Sequence, residues 1–239
     1  MQIIDFAGVK VDNLNMLEAL ERVGFYLSEN KPHLIVTPNP EMIVACQTDI
    51  ELKQTLNTAD LRVPDGISMV VVSRIKGQPL KERVSGIDLM LEIINAYAKN
   101  KKIYLLAGAP GITQEASIVL ARKFPWINIV GTHDGYFTTK DENNLIQEIR
   151  TLQPDMIFVG LGAGKQEKWL HRHLSELRVP LAMTIGGSLD VISGRKKRAP
   201  IWAQKLYIEW LYRLIVEPQR WKRQLALPKF LWLMFIPSR

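Results

Sequence analysis

From Lys101 onward, apolar runs and amphipathic stretches alternate with a regularity that leaves few folds open. The runs at 103–107, 127–131, 156–160 and 181–185 are apolar at nearly every position, and segments with helical spacing separate them at about 111–123, 140–151 and 165–177. A strand apolar on both sides has both of its faces covered, and strands joined through helices pair in parallel. The pattern predicts an α/β fold with a mostly parallel sheet and helices on both faces. Its crossovers should be right-handed, and its ligand crevice should lie beyond the C-terminal ends of the strands.

The N-terminal part fits the same Rossmann-like plan. Residues 2–11 read as a short strand or a hairpin turning at Gly8. Asn13 or Asn15 can cap a helix with Leu17, Leu20, Val23 and Leu27 as its apolar positions, and Lys31-Pro32 ends it. His33 to Val36 forms a buried type of strand running into Thr37-Pro38-Asn39-Pro40-Glu41, where two prolines fix a rigid turn and Pro40 can open a helix. A helical pair covers about 41–58. A short strand at 59–63 then leads to Pro64-Asp65-Gly66, a tight turn projecting Asp65. Ser85 can cap an amphipathic helix at 87–98.

The C-terminal end differs in composition. Residues 195–239 carry 11 Lys and Arg against Glu209 and Glu217, whereas residues 1–194 carry 20 basic and 22 acidic side chains. A near-neutral body of residues 1–194 is thus followed by a basic helical appendage, 195–239, suited to an anionic partner. A helix is expected at 200–216, with Trp202, Leu206, Trp210 and Leu214 at i+4 spacing. Pro218 interrupts it before a second short helix at 219–226. The apolar run 230–236 is too short to span a bilayer and reads as an interfacial segment. The single cysteine, Cys46, excludes an intrachain disulfide and fits a reducing cytosol, and the N-terminus shows no secretion signal.

Gly160-Leu161-Gly162-Ala163-Gly164-Lys165 is the strongest ligand-binding signal. Strand, glycine turn and helix start in succession can offer backbone N–H groups and a helix dipole to an anion. A P-loop needs four residues between its first glycine and Gly-Lys, then Ser or Thr; here there are three, then Gln166. A dinucleotide fingerprint fails on spacing as well. A second turn at Gly186-Gly187 lies at the end of another predicted strand, so Gly162, Gln166 and Gly186 together can cradle a nucleoside diphosphate. Asp65 is the candidate general base, although Pro-Asp-Gly is also a common plain turn. Thr37 and Asn39 can share its cleft. Asp190 can hold ribose hydroxyls or cap a helix, and Tyr136 can lie against a flat base or simply pack. No His/Cys cluster and no Asp-x-Asp pair is present, so no metal and no cofactor is expected. Leaving-group charge should then be met by side chains and backbone dipoles.

Several stretches together resemble the WecG/TagA/CpsF family of bacterial glycosyltransferases, and within it the enzymes of wall teichoic acid synthesis. They are Thr37-Pro-Asn-Pro-Glu41, Val63-Pro-Asp-Gly66, Glu82-Arg-Val-Ser-Gly-Ile-Asp88, residues 105–111, Gly135-Tyr-Phe137, Val159-Gly-Leu-Gly162 with Lys165-Gln-Glu167, Ser193-Gly-Arg195, Arg198-Ala-Pro200, Glu209-Trp-Leu-Tyr-Arg213 and Glu217-Pro218. Gly164 departs from the proline that many members carry there. The resemblance implies a metal-independent, inverting transfer of N-acetylmannosamine from its UDP donor to O4 of N-acetylglucosamine on undecaprenyl diphosphate, giving a β-1,4 linkage. Asp65 would be the base, Thr37 and Gln166 would contact sugar or diphosphate, and Arg83 joins them as a substrate-binding residue. Arg213, Arg220 and Arg223 would bring positive charge to a diphosphate. The appendage would dock on an anionic membrane surface, placing the protein peripherally on the inner face of the cell membrane. A homo-oligomer stays open. Two alternatives also remain: a related transferase for the uronic acid form of the sugar or for UDP-glucose, and a non-catalytic nucleotide- or nucleic-acid-binding module. The slightly acidic body argues against nucleic acid as a partner.

Overall fold

The computed structural model describes residues 2–29, 31–205, 209–216, 221 and 225–235, without the side chains of residues 204, 205, 209, 210 and 213. The chain opens with an antiparallel hairpin of β1 (Ile3–Phe6) and β2 (Val9–Asp12), turning at Ala7 and Gly8. Helix α1 (Met16–Ser28) is capped by Asn15, whose Oδ1 accepts from the Glu18 N–H at 2.9 Å while Glu18 reaches back to the Asn15 N–H. Its buried residues are Ala19, Val23 and Tyr26. Leu17, expected on the apolar face, is 64% exposed. It points away from the 19–23–26 stripe, where the smaller Ala19 fits against the sheet.

Strand β3 (His33–Val36) is followed by α2 (Pro40–Ala45) and α3 (Ile50–Thr58), then β4 (Leu61–Arg62), α4 (Ile67–Ile75) and α5 (Gly86–Tyr97). Ser85 occupies the cap position of α5 without making a side-chain cap bond. The alternating half follows expectation closely: β5 (Lys102–Ala107), α6 (Ile112–Lys123), β6 (Asn128–His133), α7 (Thr139–Leu152), β7 (Met156–Gly160), α8 (Lys165–Leu177), β8 (Leu181–Thr184) and α9 (Ser188–Ile192). Strand β6 extends to His133, two residues past its expected end. The expected 200–216 helix is described as α10 (Ile201–Lys205) and α11 (Glu209–Val216), and α12 spans Ala226–Phe235. Most of the expected 219–226 helix lies outside the described residues.

Strands β3 to β8 form one six-stranded, all-parallel sheet in the order β4-β3-β8-β7-β5-β6. Alternate residues of each strand enter opposite cores, as the pleat demands. Leu34, Val36, Tyr104, Leu106, Ile157, Val159 and Ala182 meet residues of α2, α3, α4, α7 and α8 on the first face. Ile35, Ile103, Leu105, Met156, Phe158 and Met183 meet α1, α5, α6 and α9 on the second. The sheet is Rossmann-like.

Among the described residues, the 195–239 segment meets this body through the charges at its start and through α12. Arg195 pairs with Glu115 at 2.7 Å, Lys196 with Asp190 at 3.1 Å and Arg198 with Asp88 at 2.6 Å, so three charges of the basic cluster are matched by acids of α6, α9 and α5. Helix α12 packs on α2 and α4. Its Phe230 is fully buried in the first core, with its ring 6.2 Å from that of Phe6. The run expected to be interfacial has one side in the core, through Phe230 and Met234.

Candidate functional site

Strands β3 and β8 are neighbours in the sheet, yet the chain leaving β3 enters α2 on the first face and the chain leaving β8 enters α9 on the second. Loops diverging from adjacent strand ends open a crevice between them. A cavity of about 360 Å³ lies there, lined by Thr37, Asn39, Asp65, Arg83, Gly162, Gln166 and Gly186 among others. Six of the residues singled out from the sequence thus converge from four strand ends, and Arg83 joins them from the connection between α4 and α5.

The first wall is made by the turns after β3 and β4. The Asp65 N–H donates to the Pro38 carbonyl at 3.0 Å and the Val84 N–H to the Pro64 carbonyl at 3.0 Å, so the Asp65 turn is fixed between two neighbouring segments. A Cβ on Gly66 would lie 2.9 Å from Pro40 Cδ; glycine is what lets the two proline turns close on each other. Asp65 is 29% exposed. Its Oδ1 lies 3.5 Å from Arg83 Nε, and its Oδ2 accepts from the Gly86 N–H at 3.3 Å. Asn39 Oδ1 accepts from the Met42 N–H at 3.0 Å and caps α2, which leaves the amide nitrogen as its donor group. After Gly66, α4 starts with no side-chain cap, and Ile67 and Ser68 of its first turn line the cavity. A helix start of this kind favours negative charge beside it.

The second wall is the pair of glycine turns. Gly160 cannot carry a side chain, because a Cβ would sit 2.3 Å from the Gly186 carbonyl oxygen. Gly162, Gly164 and Gly186 take φ of +90°, +84° and +51°. The start of α8 is not left open to a ligand as its sequence suggests. The fully buried Glu167 carboxylate accepts from the Gly164 N–H at 2.6 Å, and the Gln166 N–H donates to the Gly162 carbonyl. Gln166 links the turns, its Oε1 accepting from the Gly186 N–H at 3.1 Å and its Nε2 donating to Glu167 at 2.6 Å. Burial raises the pKa of Glu167, and the bonds from Gln166 and from backbone N–H groups act in the opposite sense. Lys165 lies on the other side of this turn, 5.6 Å from the Phe137 ring centroid, in a separate cavity with Thr138, Glu142 and Trp169.

Two expected residues are not in the cavity wall. Tyr136 is 76% exposed and lines no part of it. Asp190 sits in the first turn of α9, paired with Lys196, and Gly187 rather than Asp190 takes the cap position. The side chain of Arg213, and Arg220 and Arg223 altogether, lie outside the described residues. Conversely, Glu41, Ser68, Ala226 and Leu227 are not among the residues singled out as binding candidates, yet all four line the wall. Pro-Asp-Gly followed by an apolar run was the available signal for a helix starting at Ile67; Leu227 arrives through tertiary packing alone. Among the described residues no group of three or more His, Cys, Asp or Glu side chains is placed to hold a metal ion, and no helix is long and apolar enough to cross a membrane.

Known proteins place this architecture. A protein of Bacillus spizizenii named N-acetylglucosaminyldiphosphoundecaprenol N-acetyl-beta-D-mannosaminyltransferase is 38% identical over 206 residues, covering 86% of this chain and 79% of its own length. A Staphylococcus aureus protein of the same name is 35% identical over 232 residues, covering 96% of this chain and 91% of its own. The family described as "Glycosyl transferase WecG/TagA/CpsF family" matches residues 4–238. The chain belongs to that family and is a glycosyltransferase.

Proposed function

We propose that the protein transfers N-acetylmannosamine from UDP-N-acetylmannosamine to O4 of N-acetylglucosamine on undecaprenyl diphosphate, with inversion to a β-1,4 linkage. The relatives' names support this donor sugar and this acceptor. The observation that carries the reading is the convergence of Asp65, Thr37 and Gln166 on one cavity at the strand ends. Asp65 takes the proton from the acceptor O4–H as O4 attacks the anomeric carbon. The bond from that carbon to the diphosphate oxygen breaks on the opposite face, and UDP leaves with the electron pair. Arg83 holds the Asp65 carboxylate in place, and the first-turn N–H groups of α4 favour a phosphate at the cavity rim. Arg213, Arg220 and Arg223 add positive charge to a diphosphate, and no metal is needed for leaving-group departure. The protein works as a peripheral enzyme on the inner face of the cell membrane, with residues 195–239 as its docking segment.

The test is a panel of UDP-sugars offered with an N-acetylglucosaminyl-diphospho-lipid in the presence of a chelator, followed by UDP release and linkage analysis of the product. UDP-N-acetylmannosamine should be the preferred donor. A preference for UDP-glucose or for the uronic acid sugar would replace this donor assignment, and silence in chelator with recovery on added metal would remove metal independence.

A further inference from the structure

Two helices begin on the cavity wall and leave it in contact with each other. Ile67 and Ser68 of α4 and Ala226 and Leu227 of α12 line the cavity, whereas the later turns of both helices do not. Along α4, Val71 and Ile75 follow Ser68 at i+3 and i+7, which puts them on one stripe. Along α12, Leu231 and Phe235 follow Leu227 at i+4 and i+8. These four side chains are 49%, 66%, 40% and 49% exposed. The opposite sides of the same helices are already in the core, through Met69, Val70 and Val72 and through Phe230 and Met234. The core therefore does not account for the outward apolar stripes. Helices apolar on both sides ask for a second cover, and contiguous exposed apolar surface marks a binding surface.

The chemistry of that cover follows from what surrounds the stripes. Neither helix contains an acidic residue, and the exposed residues beside the stripes include Arg74, Lys76 and Lys229. A protein partner would more often be met by a mixed polar rim. An apolar path that starts on a polar cavity and is flanked by cations instead suits an amphiphile with an anionic head. We propose that the stripes of α4 and α12 form a track for the polyprenyl chain of a lipid-diphosphate acceptor whose sugar end enters the cavity. This rests on the transferase reading above and adds to it a lipid-binding site on the body of the protein, α4, outside the basic appendage. Seven to eight helical residues give a track of about 10–12 Å, enough for the isoprene units next to the diphosphate.

The experiment compares an undecaprenyl acceptor with one whose diphosphate carries only a methyl group, too short to enter the track, in detergent solution, using the full chain and the double variant Val71→Gln, Ile75→Gln. Both positions are exposed, so folding is retained, and Ile118→Gln on α6 is a control for loss of surface apolarity elsewhere. The double variant should lower kcat/KM for the long acceptor about tenfold, mainly through KM, and leave the short one within about twofold. The control should leave the ratio between the two acceptors at its wild-type value. Equal losses on both acceptors, or no loss on either, would overturn the track. So would lost sedimentation with acceptor-free vesicles combined with an unchanged acceptor ratio, since the stripes would then meet the bilayer and not the acceptor. A wild-type chain that turns over neither acceptor would sink the transferase reading itself.

Discussion

One wall of the cavity is built by the turns after β3 and β4, the other by the glycine turns after β7 and β8, and they use their polar groups differently. On the glycine side most are satisfied within the protein: Glu167 closes the start of α8, and Gln166 ties Gly186 to Glu167. On the Asp65 side, a part-exposed carboxylate, Arg83 and the uncapped start of α4 stand on the cavity. The more conspicuous sequence motif is thus the more structural wall. Glycines are demanded where a Cβ would strike backbone, as at Gly160 against the Gly186 carbonyl, or where φ is positive, as at Gly186, whether or not a ligand is bound.

The largest effect should come from the Asp65 wall. Asp65→Ala should lower kcat/KM about 10²–10⁴-fold while titration calorimetry still detects UDP binding. Retained turnover would take the chemistry off this wall and erase the contrast. Next is the helix that completes the wall's outer end. Phe230→Ala should remove about 3–5 kcal/mol of stability, read as a lower urea midpoint; a loss under about 1 kcal/mol would show that α12 is only loosely seated.

The glycine wall should respond through pH instead. Burial raises the folded-state pKa of Glu167 above its ordinary 4.5, so the native protein holds this proton more tightly than the unfolded chain does. That contribution is present at low pH and is lost as pH rises through the folded-state value. Glu167→Gln cannot ionise, so its stability relative to wild type should climb as pH rises from 4 toward neutrality in urea titrations at about half-unit intervals. A difference flat with pH would mean that the bonds from Gly164 and Gln166 fully offset burial. The smallest effect belongs to the strap. Arg198→Ala breaks the part-exposed pair with Asp88 and should cost about 0.2–1 kcal/mol, less at high salt. A larger loss would make the 195–198 segment part of the framework of the site.

Much of this was legible from residue order alone. Four parallel strands and the helices between them followed from apolar runs and 3.6-residue spacing, which are local properties of the chain. The Pro-Asp-Gly and Thr-Pro-Asn-Pro turns are legible because proline fixes φ and glycine opens backbone angles closed to other residues, each residue by residue. Leu17 falls off the buried stripe, since spacing alone does not fix which side of a short helix the sheet covers. Asp190 stands next to the Gly186-Gly187 turn and Tyr136 just beyond the end of β6, places from which residue order alone lets both be aimed at the cavity. In space, Lys196 takes up the carboxylate and the ring of Tyr136 stays in solvent.

Residue order is enough to specify the parallel α/β core, the asymmetry of charge and the chemical identity of the turns at the strand ends. Folding in three dimensions sets which turns face one another, that Glu167 closes the start of α8, and that α12 returns to the wall of the cavity. The difference is one of range. Backbone restriction and hydrophobic periodicity act within a few residues, whereas the neighbours of a carboxylate are set by the order of strands in the sheet, and β3 meets β8 across nearly 150 residues of chain.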